Sequence, residues 1–344
     1  MERLNMKRPT LAIIAETAGL STSAVSQILR GKGSFAVHTR NVVHEVAKQL
    51  HYVPDQQAVS MRLGGSNDVG IILQDLSSPL NLAIVKSAKD KLAGEGLEVF
   101  VVDSENDPEQ EYLRIRWLIQ RSAKGVLWLP SSSPKKESCS LLAGHRFPTA
   151  TLSSCSKLSM DFDCVNIQEH QAMAKAVEHL SILGHERIGF FCEDVSGGVF
   201  GRRPIEVYAE AVKSNGAGKA IVKFAGSNFD TARTNAQRLF DEHPDITALV
   251  CSGEFSSMGA STGLIDMGLM PGKDRSVVGF GSIATAQVMR PTPTLLSLDS
   301  NALGQLMASM LIDRLADRSA PPQYTEFPIE FLPGNSTGQP NIRM

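Results

Sequence analysis

"GLSTSAVSQILRGKG", residues 19–33, is a short polar helix set between glycines, and its two faces differ in character. Leu20, Val25, Ile28 and Leu29 are spaced so that a 3.6-residue helix gathers them on one side. The other side carries Thr22, Ser23, Ser26 and Gln27, a smooth surface of small hydroxyls and one amide. Ser21 stands where a helix cap belongs, and Gly31 closes the segment. Upstream, Thr10 caps a helix over Leu11–Thr17 that Gly19 ends. Downstream, Val42, Val43, Val46, Ala47 and Leu50 predict a third helix from near Thr39. Two short helices joined through a glycine turn and followed by a packing helix describe a helix-turn-helix domain.

Beyond this head the texture changes. In "HYVPDQQAVSMRLGGSND", residues 51–68, Pro54 blocks continuation of the third helix and Asp55 can cap a short one. Gly64, Gly65 and Ser66 then make a flexible stop. From Val69, apolar runs recur at 69–73, 97–102, 125–130, 187–191, 248–251 and 276–280. Helical stretches lie between them, among them Ala83–Gly94, Gln171–Leu183 and Thr231–Glu242. Short buried runs alternating with helices predict parallel sheets covered on both faces. Roughly 270 residues exceed what one such sheet usually holds, so two similar lobes with a ligand cleft between them are expected.

The totals narrow the class. The chain has 344 residues, 42% hydrophobic and 20% charged, as ordered globular domains have. No apolar run approaches a membrane span, and the first residues lack the pattern of a secretory signal, so the expected location is cytoplasmic. Five scattered cysteines, none in a C-x-x-C pair, argue against a zinc site or a disulfide framework. Net charge is −2, divided unevenly: residues 1–66 carry +4 and the remainder −6. A basic head on an acidic body suits a polyanionic partner. No P-loop, no G-x-G-x-x-G and no H-E-x-x-H occurs, so no catalytic residue, cofactor or metal is assigned and an enzyme is not expected.

Eight segments in order resemble the lactose-repressor (LacI/GalR) family of bacterial transcription regulators. They include "TLAIIAETAGLSTSAVSQILRGKG", "LHYVPDQQAVSMRLGG", "VGIILQDLSSP", "HLSILGHERIGFF", "TALVCSGEFSSMGA" and "PTPTLLSLDSNALGQLMASMLIDRL". The resemblance implies an all-α helix-turn-helix head at 1–50 and a hinge helix and linker at 51–66. An α/β two-lobe core like a periplasmic binding protein, with parallel sheets, follows. The N-terminal lobe is expected at 67–166 with about 296–322, and the C-terminal lobe at 167–295 with about 323–344. It implies a homodimer, with a tetramer as the alternative, on a pseudo-palindromic double-stranded DNA operator, and a repressor as the function. A sugar, sugar phosphate or other metabolite bound between the lobes would be the effector. A vestigial cleft governed by a partner protein, and a solute-binding module, are the competing readings.

By the same resemblance Thr22, Ser23 and Gln27 read bases. Gln27 stands where the family commonly has Arg; Gln suits adenine, whereas Arg suits guanine. Ser21, Ser26, Thr39 and Arg40 are expected on the phosphate backbone. Met61 aligns with the hinge residue that enters the minor groove. In the cleft the family's usual groups are changed. Leu80 and Asn81 follow the S-x-P turn in place of an aromatic. Pro204, with Arg202 and Arg203 beside it, stands in place of an Arg. Gly253-Glu254 and Gly281-Ser282 replace acid-bearing pairs. Ser77, Asn81, Arg202, Arg203, Glu254 and Ser282 are the cleft candidates, the two arginines favouring an anionic ligand and Glu254 a hydroxyl.

Overall fold

The computed structural model describes residues 9–53, 66–152, 161–193, 204–216 and 220–341, which fall into two compact units, 1–66 and 67–344. Residues 54–65 of the hinge, Asp55 and Met61 among them, Cys155, and Arg202 and Arg203 lie outside the described residues.

The head holds three helices, α1 (Leu11–Ala18), α2 (Thr22–Leu29) and α3 (Val37–Gln49). Ile14, Val25 and Val43, one from each, are fully buried and meet in a small core with Ala15, Ile28 and Ala47. Thr10 Oγ1 accepts from Ile13 N (3.4 Å), and Gly19 closes α1 in the left-handed region at φ 67°. Ser21 Oγ accepts from Ala24 N at 3.2 Å and fixes the start of α2. The third helix begins two residues before the expected Thr39, so Thr39 lies within its first turn. Replacing Ser21 with Ala should cost α2 about 1 kcal/mol and speed amide exchange over residues 22–30 about fivefold in the full chain, read by mass spectrometry.

Residues 67–344 build two six-stranded sheets. The first contains β1 (Asp68–Leu73), β2 (Glu98–Asp103), β3 (Gly125–Trp128), β4 (Thr149–Leu152), β5 (Asp163–Ile167) and β11 (Tyr324–Phe327), in the order β11-β5-β4-β3-β1-β2. All its pairs are parallel. The second contains β6 (Ile188–Cys192), β7 (Ile221–Phe224), β8 (Ala248–Cys251), β9 (Ser276–Gly281), β10 (Thr294–Ser297) and β12 (Glu330–Leu332), in the order β12-β10-β9-β8-β6-β7. Among the described residues only its β10–β12 pair is antiparallel.

Helices α4 (Pro79–Gly94), α5 (Pro108–Gln120) and α6 (Lys136–Gly144) belong to the first lobe. The second has α7 (Glu169–Ile182), α8 (Pro204–Ser214), α9 (Phe229–Glu242), α10 (Glu254–Asp266) and the short α11 (Ile283–Ala286). Helix α12 (Ser300–Ala316) returns to pack on α4. The chain therefore passes between sheets near 168, 298 and 328. The last passage falls later than the expected 322–323, because Tyr324–Phe327 pairs with Cys164–Ile167 before the chain leaves.

Each lobe is assembled from separate stretches of chain, and in each a buried polar group ties those stretches together. Asp163, nearly inaccessible on β5, accepts from Arg314 Nε (2.8 Å) and Nη2 (2.7 Å) on α12, and from Gln323 N (2.9 Å). His185 joins Thr247 (2.8 Å), Ser276 (2.9 Å) and the Gly338 carbonyl (2.9 Å). Burial lowers its pKa and favours the neutral ring. Cys139, Cys164, Cys192 and Cys251 are buried and stand outside any disulfide among the described residues. Among the described residues no helix is long and apolar enough to cross a membrane.

Candidate functional site

Two surfaces carry chemistry. On the head, Ser21, Thr22, Ser23 and Gln27 are exposed along the start and outer face of α2. Their opposite face is spent on the core, which is why this strip is free. Ser26 is half-buried, and its hydroxyl accepts from Arg30 Nη2 at 2.8 Å while Arg30 Nε bonds its carbonyl. Arg40 donates to the Gly33 carbonyl at 3.0 Å, tying α3 to the turn after α2. Gly33 sits at φ 80°, and a Cβ there would lie 2.8 Å from Gln27 Oε1 and 2.6 Å from the Phe35 ring. The Gln27 amide thus lies over a bare backbone turn. Thr39 is half-buried beside Arg40 on α3. The head brings six of its seven sequence-predicted side chains onto two neighbouring helices and Ser21 onto the N-cap of the first of them.

The second surface is a cavity of about 420 Å³ between the two lobes. Ser77, Asn81 and Glu254 line it, together with Asp75, Asp103, Glu105, Glu169 and Glu193. Leu80, Leu152, Phe255, Phe280 and Leu298 supply its apolar wall. Ser77 Oγ donates to Asp75 Oδ1 (2.7 Å), and Asn81 Nδ2 donates to the Asp75 carbonyl (2.9 Å), so both hold the turn into α4. Ser282, expected in the cleft, does not line the cavity; its N–H and hydroxyl both donate to Glu254 Oε1 at 3.1 Å.

Glu254 is the centre of this arrangement. It is buried at the first position of α10 in the second lobe. Its Oε1 also accepts from Thr285 Oγ1 at 2.8 Å. Its Oε2 accepts from Leu80 N at 2.8 Å, and Leu80 lies in the first turn of α4 in the other lobe. The carboxylate therefore spans the cleft and ends at a helix N-terminus, where backbone N–H groups favour an anion. Among the described residues Oε1 accepts three hydrogen bonds and Oε2 one, so Oε2 is the oxygen with acceptor capacity left for a ligand hydroxyl.

Two glycines make room for buried acids. A Cβ on Gly253 would lie 2.4 Å from a Glu193 carboxylate oxygen, and one on Gly281 would lie 2.5 Å from Glu254 Cγ. Gly281 also has φ 149°, which L side chains rarely adopt. Glu193, just past β6, accepts from Ser256 N at 2.6 Å and so caps α10. Burial pushes its pKa up, and the neighbouring Glu254 charge pushes the same way. Glu169 opens α7; its Oε2 is fully shielded and has no hydrogen-bond partner among the described residues. Burial pushes its pKa up to about 8. Sequence reasoning missed both Glu169 and Glu193. The glycine pair facing two strand ends was the available signal for Glu193. Among the described residues no cluster of His, Cys, Asp or Glu is arranged to hold a metal ion.

Two family profiles match the chain, one over the head and one over the core. Residues 10–55 match the profile described as bacterial regulatory proteins, lacI family, and residues 66–333 match that of periplasmic binding proteins and sugar binding domain of LacI family. The HTH-type transcriptional repressor PurR of Edwardsiella ictaluri is 24% identical over 319 residues, covering 92% of this chain and 93% of its own. The maltose regulon regulatory protein MalI of Escherichia coli is 27% identical over 329 residues, covering 90% and 93%. In three dimensions the lac repressor dimer bound to operator and the anti-inducer ONPF superposes with a TM-score of 0.79 at 20% identity. That match covers 96% of this chain and 100% of the other. A LacI-family regulator from Silicibacter pomeroyi gives 0.84 at 21%, covering 95% and 99%.

Proposed function

The chain belongs to the LacI family of bacterial regulatory proteins, and from that premise we propose that it is a sequence-specific transcriptional repressor acting in the cytoplasm without catalysing a reaction. The observation that carries this reading is the exposed strip Thr22, Ser23 and Gln27 on a capped helix whose other face forms the head's core. A short helix presenting small polar groups fits the major groove, its first residues nearest the base edges. Ser21, Ser26, Thr39 and Arg40 border that strip and position it on phosphates. Met61 supplies the minor-groove contact of the hinge. A homodimer places two heads on a pseudo-palindromic operator. The interlobe cavity takes a small-molecule effector, whose binding shifts the population between DNA-competent and DNA-incompetent forms.

Selection of bound duplexes from a random library by the full chain tests this reading. A pseudo-palindromic consensus is expected, and enrichment of no consensus contradicts it. Gln27 is predicted to favour adenine at its position. Gln27→Arg should move that preference to guanine by about 10–100-fold in relative affinity, the value of one good bidentate contact. Binding to the selected operator should weaken on the order of 10³-fold for a few-fold rise in salt.

A further inference from the structure

We infer that the cleft takes a small organic cation, a ligand with at least one protonated amine that pairs with Glu169 inside an acidic, partly aromatic cavity. This inference rests on the effector-binding reading above and names the chemical class of that effector.

Among the described residues that line the cavity six are carboxylates and none is lysine, arginine or histidine. Four of the six are engaged by the protein. Glu254 accepts from Leu80, Ser282 and Thr285. Asp75 accepts from Ser77 N and Oγ, both at 2.7 Å. Asp103 accepts from Leu76 N (2.9 Å) and Glu105 N (2.7 Å). Glu193 accepts from Ser256 N. These hydrogen bonds do not cancel the negative charge of Glu254, Asp75 and Asp103, which in a low-dielectric cleft focuses a negative potential on whatever enters.

Glu169 differs from these four. Its Oε2 is shielded from water and has no partner among the described residues, and the residue itself lines the cavity. A buried carboxylate oxygen left without a donor is costly, and a charged N–H donor removes that cost most effectively. An ammonium group supplies the donor and neutralises the field together. The remaining wall suits the rest of such a ligand: Leu80, Leu152, Phe255 and Phe280 offer apolar contact, and aromatic rings also attract cations. A metal ion is a poor alternative, since no cluster of three or more acidic or other ligating side chains converges on a point among the described residues. Arg202 and Arg203, which the sequence offers to an anionic ligand, lie outside the described residues. The two readings therefore make opposite predictions.

The test uses the full chain and probes of similar size and different charge, by isothermal titration and thermal shift. Glucosamine, agmatine and spermidine are the cations, glucose is the neutral probe, and glucose 6-phosphate is the anion. At least one ammonium should bind about tenfold or more tightly than glucose and glucose 6-phosphate, and Glu169→Gln should weaken it at least about tenfold. Glu169→Asp, which keeps the charge, should retain more affinity than Glu169→Gln. A cooperative melt retained by both variants separates lost binding from lost folding. Tightest binding of glucose 6-phosphate or glucose overturns the inference. So does failure of all three ammonium probes at millimolar concentration, or an unaltered affinity in Glu169→Gln. Operator binding, measured in parallel, judges the underlying reading separately. A cation that binds without changing operator affinity leaves the site standing and removes its regulatory role. Operator release by an anion alone does the reverse.

Discussion

Glu254→Ala should destabilise the core by about 2–6 kcal/mol, the cost of leaving two buried N–H donors without their acceptor at about 1–3 kcal/mol each. The substitution strands the Leu80 and Ser282 N–H groups, each losing its carboxylate acceptor in a buried setting. The Ser282 and Thr285 hydroxyls already share a 3.0 Å hydrogen bond, so they lose less. Gln at the same position should cost less than Ala, because one oxygen is kept, but its amide nitrogen would then face a donor. The loss should not be confined to one lobe. Leu80 N belongs to the first lobe and Ser282 and Thr285 to the second, so amide exchange should quicken at the starts of α4 and α11 together. Urea denaturation followed by circular dichroism measures the total. A loss below about 1 kcal/mol would mean that the four contacts do not form in solution.

The second large effect concerns pH. The Glu169 pKa is raised from 4.5 to about 8 by burial. An acid raised on folding contributes stability that is fully present below its unfolded value and is lost as pH rises through its folded value. The wild-type core should therefore lose stability between about pH 4.5 and 8 relative to Glu169→Gln, which cannot ionise. The difference should reach about 2–5 kcal/mol at pH 8.5 and vanish near pH 4. Glu111 and Glu193 are also raised, but they are present in both proteins and cancel in the comparison. Parallel stability curves for the two proteins would show that Glu169 is solvated. The same logic gives the cation its pH dependence: affinity for an ammonium should rise as Glu169 ionises toward pH 8.

The architecture was legible where the sequence used unmixed signals. Strands β1, β3, β6, β8 and β9 are nearly all apolar because parallel sheets are covered on both faces. Strands β4 and β5 were not seen, since "TATL" and "DCVNI" look polar. Their polar groups are answered locally: Thr149 donates to the Phe147 carbonyl, Thr151 to the Trp128 carbonyl, and Asp163 takes Arg314. No short window can show such partners, because Asp163 and Arg314 are 151 residues apart. Strand β11 was assigned to the wrong lobe for the same reason, its partner β5 being equally distant in sequence.

The head was the clearest part, because its caps and its apolar face lie within a few residues of one another. The cleft was read only in outline. Ser77, Asn81 and Glu254 do line it, but Ser282 turns to Glu254, and Glu169 reads in sequence as an ordinary first-turn glutamate. What distinguishes Glu169 is burial without a donor, a property of the folded cleft alone.

The central claim is that the strip on α2 reads a defined DNA sequence. Competition binding of the full chain, at one fixed moderate salt concentration, compares the selected operator with bulk duplex of scrambled sequence. The expected preference is about 10³-fold or more, reduced about 10-fold or more by alanine at Gln27. Equal affinity for both duplexes, or a preference that survives removal of the Thr22, Ser23 and Gln27 side chains, would contradict it.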